Sequence, residues 1–411
     1  MNRLIENKKL SGEIRGISSK SYAHRAIFCA GLAKDESLLE IENLSNDIED
    51  SLNIMKALGV SINKKGTKYF IKAPTDFKDK VKINVGESGT SLRFILPLLA
   101  ALGIEAEIIR RGSLISRTNE VYFNLFPEHG VSIKEEDDKI LVKGKLKNFN
   151  FKLPANISSQ FISGLMLASS TSDEDYNIEL LTEIESLAYI QMTRDVMEKF
   201  GAKIIEENNF IKCTGRLSGQ NYIVEKDWSN ALFFLAAGVE VLGLNKNSIQ
   251  ADKKSLKYFG ELGLENISKE DYKFVKTKEA KDKITIDAKD IPDSIPILAI
   301  LSAIYGKNIN IINIKRLKLK ESDRIKTTVD MLRNLGLKVE LLKDSFSFKG
   351  VKSFKSCEIN SYNDHRIAMS AAIAATFADG PIKIIDSECV EKSYKNFYKD
   401  FESLGGVCHV L

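Results

Sequence analysis

One pattern recurs six times along the chain and constrains what it can fold into. An amphipathic stretch closes on a glycine, and a β-branched or charge-alternating hairpin follows, at Gly59, Gly130, Gly201, Gly263, Gly336 and Gly405. The segments ALGVSINKKGTKYFIKA, EHGVSIKEEDDKILVKG, KFGAKIIEENNFIKCTG, ELGLENISKEDYKFVKT and NLGLKVELLKDSFSFKG carry it in full, and SLGGVCHVL carries it truncated. Each reads as a helix stopped by a glycine just past its C-terminus, where the backbone needs φ > 0, then two short strands. The spacing is roughly 70 residues, longer than a solenoid repeat of about 20–50 and enough for a small α/β unit. Six such units predict two domains of three units each.

A second repeat runs in phase with the first. Six stretches rich in Ala, Leu and Ile almost all round lie between the hairpins: Tyr22–Ala33, Thr90–Leu102, Phe161–Ala168, Ala231–Ala237, Ile295–Ile304 and Ile367–Phe377. A helix apolar on every face is a buried helix. The unusual residues gather at the starts of these helices, in SSKSYAHR, GESGTSLR, ISSQF, DWSN, IPDS and YNDHR. Most of the Ser, Asp and Asn there are ordinary N-caps. Arg25, Arg93 and Arg366 are not explained by capping. Read as first-turn cations, they oppose the helix macrodipole and make sense where an anion is held by backbone N–H groups and cation together.

Length and composition fit a two-domain enzyme. At 411 residues the chain exceeds what one hydrophobic core usually serves. Apolar residues make up 43% and charged residues 28%, an ordinary balance for a globular protein. The net charge is only +4 and the basic residues are scattered, which disfavours nucleic acid as a partner. Five cysteines lack CxxC or metal spacing and read as reduced thiols of a cytoplasmic protein. Four histidines never fall at ligand spacing, so no metal site is expected. The start MNRLIENKKL has no apolar signal segment, and the longest apolar run, around Ile295–Tyr305, is too short for a bilayer.

Two further clusters are dense in charge: LKLKESDR at Leu317–Arg324, and Glu391–Lys392–Ser393. With them the chain resembles the 5-enolpyruvylshikimate-3-phosphate (EPSP) synthases of the enolpyruvyl transferase family. The matching motifs are SKSYAHR (Ser19–Arg25), ESGTSLR (Glu87–Arg93), GSLISR (Gly112–Arg117), SSQF (Ser158–Phe161), LKESDR (Leu319–Arg324) and NDHRIAM (Asn363–Met369). They fall in family order across essentially the whole chain, and KESDR followed by NDHRxAM is the most specific pair.

The resemblance implies an α/β fold of two domains, each of three βαβαββ units around buried parallel helices, with the active site in the cleft between them. The expected domains are 19–226 and 1–18 plus 227–411, with the first strand, Lys9–Ile14, belonging to the second. It also implies transfer of the enolpyruvyl group of phosphoenolpyruvate to the 5-hydroxyl of shikimate 3-phosphate, without metal or organic cofactor, in a monomer that needs neither nucleic acid nor membrane. Lys20, Ser21, Arg25, Ser158, Ser159, Gln160, Ser186, Tyr189, Asp293 and Lys320 match the shikimate 3-phosphate site. Lys20, Gly89, Gln160, Arg117, Arg324, His365, Arg366 and Lys392 match the phosphoenolpyruvate site. Asp293, Glu321 and Lys20 match the catalytic groups, Asp293 against the attacking hydroxyl and Glu321 as proton donor to the methylene. Arginines suit carboxylate and phosphate through bidentate bonding.

The chain departs from the family at Ile17–Ser18 for Pro–Gly, Glu87 for Asn, Thr118 for Pro and Arg316 for Asn. These changes touch the phosphoenolpyruvate loop and inhibitor sensitivity. Two other readings are weaker. A UDP-N-acetylglucosamine enolpyruvyl transferase usually has Lys–Asn at Lys20–Ser21, a reactive Cys within Ser113–Ser116, and no NDHR. A non-catalytic phosphate- or RNA-binding repeat protein should show a broad basic face with interleaved aromatics, against the lone Trp228.

Overall fold

The computed structural model describes residues 1–411, which divide into two compact units, Ser18–Glu225 and Met1–Ile17 with Lys226–Leu411. Each repeat is a strand, a buried helix, a parallel strand, an outer helix and a two-stranded return. The second repeat shows it plainly: Lys80–Asn84, helix Gly89–Leu102, Glu105–Ile109, helix Glu120–Glu128, then Val131–Glu136 and Lys139–Gly144. The first two strands pair in parallel, and the hairpin adds antiparallel to the second strand. The same order appears in Asn150–Leu153, Tyr176–Leu180, Phe210–Thr214 and Lys203–Glu207, and in Lys283–Asp287, Asn308–Ile312, Ser345–Lys349 and Val339–Leu341.

The outermost repeats borrow strands from far along the chain. Asn221–Ile223, at the end of the 18–225 unit, pairs in parallel with Ser37–Glu40 and opens that unit's first sheet. Glu13–Arg15 does the same for Glu240–Leu242. The truncated sixth repeat has one strand after Gly405, Cys408–Val410, and its missing partner is Arg3–Ile5 from the N-terminus. The strand expected over Lys9–Ile14 is therefore two strands, Arg3–Ile5 and Glu13–Arg15, separated by an irregular connection, residues 6–12, that ends on Gly12 at φ +100.

The six punctuating glycines all lie at positive φ, between +78 and +103. The six buried helices are Lys20–Leu32, Gly89–Leu102, Ser159–Ser169, Trp228–Ala236, Ile295–Tyr305 and His365–Ala375. Most of their Leu, Ile and Phe side chains are almost wholly removed from water, each of these contributing about 1.5–3 kcal/mol of hydrophobic stabilisation. Close approach needs small residues: a Cβ on Gly164 would stand 2.5 Å from Tyr122 Oη. That hydroxyl reaches the carbonyls of Arg93 (3.0 Å) and Phe161 (2.8 Å) and ties the starts of two buried helices together. No helix is long and apolar enough to cross a membrane.

Candidate active site

In the 18–225 unit the candidate residues sit where the buried helices begin. Ser19, Ser88 and Ser158 cap three of them, their hydroxyls accepting from Tyr22, Ser91 and Gln160 backbone N–H groups. Lys20 opens the first helix and pairs with Asp47 at 2.8 Å. Gln160 receives Arg93 Nη1 on its Oε1 (2.6 Å) and donates Nε2 to Thr90 (2.8 Å). Ser159 is buried beside it, and Ser186, at φ 58, precedes helix Leu187–Lys199, which carries Tyr189.

Arg25 and Arg93 are not first-turn residues. The helices start earlier than their apolar runs, at Lys20 and Gly89, which places both arginines in the second turn. Arg25 is 2% exposed, and its guanidinium donates to Thr193 Oγ1 (2.8 Å), Ser21 O (2.7 Å) and Tyr189 O (2.9 Å). All three acceptors are neutral. Burial pushes Arg25 down to about 10, although neighbouring Tyr189 and Tyr22 oppose this, so it stays charged at neutral pH. A buried cation without a carboxylate is costly, and an anion would offset that cost.

Arg117 is a second such cation. Its side chain donates to no acceptor of the protein, and its Nε is buried. It lies on the first residue of helix Gly89–Leu102, where a Cβ on Gly89 would stand 2.7 Å from Nη1. Cation and helix N-terminus together present positive potential and free donors to one place.

The second cluster belongs to the 226–411 unit and is built differently. Arg324, 1% exposed, donates Nη1 to Asp293 (2.5 Å), Nη2 to Glu321 (2.6 Å), and Nε and Nη2 to Asp364 (2.8 and 3.2 Å). Lys320 adds a 3.0 Å pair to Asp293. Burial alone raises the Asp293 pKa, but Lys320, Arg324 and Arg366 outweigh it and hold the carboxyl well below its usual range. Asp293 is thus an ionised acceptor. It is not the helix cap: Ser294 occupies that position. Glu321 lies before the cap Asp323, so it is not a first-turn acid either.

Asp364 caps helix His365–Ala375 through the Arg366 N–H (2.9 Å) and also accepts from Ser322 (2.9 Å). Tyr362 and Asn363 before it are both left-handed, at φ 53 and 56, and set its angle of entry. Lys392 Nζ donates to the Asn363 carbonyl at 2.8 Å. His365 is buried with Nδ1 4.0 Å from Asp364. Arg366, a true first-turn arginine, has Nε and Nη1 buried without an acceptor.

Comparisons with known proteins give the family and the fold. A profile of the EPSP synthase family (3-phosphoshikimate 1-carboxyvinyltransferase) matches residues 5–401. The chain belongs to the EPSP synthase family. It is 38% identical over 418 residues, 98% of each chain, to a protein of Clostridium perfringens named 3-phosphoshikimate 1-carboxyvinyltransferase. A protein of the same name from Clostridium acetobutylicum is 37% identical over 97% of this chain and 96% of that one. In fold it is similar to an EPSP synthase of Acinetobacter baumannii (24% identical, TM-score 0.79, all of both chains covered). It is similar also to the enolpyruvyl transferase NikO of Streptomyces tendae (14% identical, TM-score 0.78, 99% of this chain and 98% of that one).

In this EPSP synthase family chain, sequence reasoning passed over three polar residues that the fold makes prominent. Asp364 was visible inside NDHR, and its hub role depends on Arg324 forty residues earlier. Asp252 is fully buried against the Ser294 hydroxyl, with a pKa raised to about 6 by burial and then by Asp293. Nothing in its local sequence signals this. Asp47, the partner of Lys20, lies in an ordinary-looking helix start.

Proposed function

We propose that the chain transfers the enolpyruvyl group of phosphoenolpyruvate to the 5-hydroxyl of shikimate 3-phosphate, as a carboxyvinyl transferase of its family. Family membership along residues 5–401 carries the assignment. The hydroxyl oxygen adds to C2 of phosphoenolpyruvate while C3 takes a proton. The C2–O bond to phosphate then breaks as C3 returns a proton, giving the enolpyruvyl ether and phosphate. Such a reaction needs cations for two phosphates and a carboxylate, and an acid and a base on one carbon unit.

The buried cations support roles for named residues. Arg25, satisfied only by neutral oxygens, takes the phosphate of shikimate 3-phosphate, with Ser21, Ser158, Ser159, Gln160, Ser186 and Tyr189 around the ring. Arg117, Gly89, Arg366, His365 and Lys392 take phosphoenolpyruvate, and Arg324 and Lys320 fix Asp293 and Glu321. Asp293 accepts from the attacking hydroxyl. Once the ligand anions share the charge of Lys320 and Arg366, its pKa rises and proton acceptance becomes easier. Glu321 moves the methylene proton. A phosphate-release assay with each substrate alone and both together tests the reading. Release that needs both is expected; no release with both present overturns it.

A further inference from the structure

We propose that Arg110 is a positioning residue that holds loop 111–117 in the shape that presents Arg117 to phosphoenolpyruvate. The inference rests on the role given to Arg117 above. The loop is a single 3-10 turn, Gly112–Ser116, with few ties of its own. Leu114 is its one buried side chain, Arg111 N donates to Gly86 O (2.8 Å), and Arg117 N reaches Leu114 O only at 3.3 Å. Ile115 and Ser116 face solvent.

Beneath this thin loop lies a guanidinium with no exposure at all. Arg110 Nη1 is ion-paired with Glu135 and donates to the Ile115 carbonyl (3.3 Å), while Nη2 donates to Asp137 O (2.8 Å). Glu135 and Asp137 lie at the tip of the hairpin Val131–Gly144, Asp137 in a left-handed turn at φ 49. One planar fork thus joins a rigid hairpin to the carbonyl two residues before Arg117. A lysine cannot copy this, because an ammonium is a point charge without a fixed fork. A shift of about 1 Å in a binding group can cost on the order of 100-fold in rate. The effect should fall on the ligand that Arg117 holds and spare the one Arg25 holds.

The test uses the full chain with Arg110→Lys, Arg117→Ala, the double variant and Glu135→Gln. Turnover by the parent is measured first, and a parent that turns over neither substrate sinks the functional reading rather than this one. For Arg110→Lys we expect the phosphoenolpyruvate KM to rise about tenfold or more, with the shikimate 3-phosphate Kd from calorimetry within about twofold of the parent. Added to Arg117→Ala, Arg110→Lys should raise the KM no further, since it acts through that side chain. An unchanged phosphoenolpyruvate KM, a parallel loss of both ligands, or a multiplied effect in the double variant would overturn the proposal. If the Arg110 variants fail to fold, Glu135→Gln decides. Gln keeps an acceptor oxygen but removes the charge that strengthens this side of the fork, which should raise the same KM about threefold, and no rise refutes the role.

Discussion

Arg25 and Arg324 are both buried guanidiniums, one in each unit, and they are satisfied in opposite ways. Arg25 meets a hydroxyl and two backbone carbonyls, all neutral. Arg324 makes four hydrogen bonds to three carboxylates, and their charges hold it protonated well above the normal range despite burial. The difference separates two jobs. A cation whose charge is uncompensated inside the protein has electrostatic energy left to give to an anionic ligand. A cation wrapped in carboxylates has given it already, and its value lies in fixing those carboxylates. Two buried arginines of one chain are therefore not equivalent, and substitution should separate them.

The largest effect should come from the carboxylates Arg324 fixes. Asp293→Asn and Glu321→Gln keep the volume of each side chain and remove its charge. Turnover should fall about 100- to 10,000-fold, with shikimate 3-phosphate binding near that of the parent. Each variant should also lose one limb of the pH–rate profile. A kcat within tenfold of the parent for both would confine these groups to structure.

Arg324→Ala against Arg25→Ala tests the comparison itself. Removing Arg324 takes the shared cation from Asp293, Glu321 and Asp364 at once, and loss of one partner from a buried ion pair costs about 3–5 kcal/mol of stability. Denaturant unfolding should show that loss. Arg25→Ala leaves only neutral acceptors behind, so its stability cost should be smaller, while shikimate 3-phosphate affinity falls about 100-fold, the scale of 2–5 kcal/mol for a desolvated charge pair. Arg366→Ala should weaken phosphoenolpyruvate instead. Calorimetry showing equal loss of both ligands in the Arg25 and Arg366 variants would break the division of labour.

The repeat was legible because each copy needs the same backbone device, a left-handed glycine after an amphipathic helix. The sixth copy reads as truncated for a topological reason: its return strand, Arg3–Ile5, enters from the other end of the chain, which no local pattern reveals. The N-terminal strand is hard to place from sequence because NKKLSGEIR offers no long alternation, and residues 6–12 run irregularly up to the left-handed Gly12. The apolar runs place Arg25 and Arg93 one turn too early because they begin inside helices that start at Lys20 and Gly89. The motifs of the site were readable as motifs. Their partners were not, since Asp364, Asp252 and Asp47 matter through residues far off in sequence, and Arg110 looks like one more basic residue until its burial is seen.

The smallest expected effect concerns Asp252 and asks whether the carboxylate-rich cluster is strained by its own charge. Its pKa is about 6 in the fold, raised by burial first and by Asp293 second, against 3.8 for an ordinary aspartate. Between these values the folded chain binds a proton that the unfolded chain has released. The contribution of Asp252 to stability is therefore fully present below pH 3.8 and is lost as pH rises through about 6. Above that, the fold carries a buried, ionised group that it would hold more comfortably neutral. Asp252→Asn keeps an oxygen for the Ser294 hydroxyl and removes the charge. Its stability gain should be on the order of 3 kcal/mol at pH 8 and shrink toward zero near pH 4. Unfolding curves across that range decide the matter. A gain that does not depend on pH, or a loss that grows as pH rises, would mean that the ionised Asp252 is a wanted partner of Arg366 rather than a surplus charge.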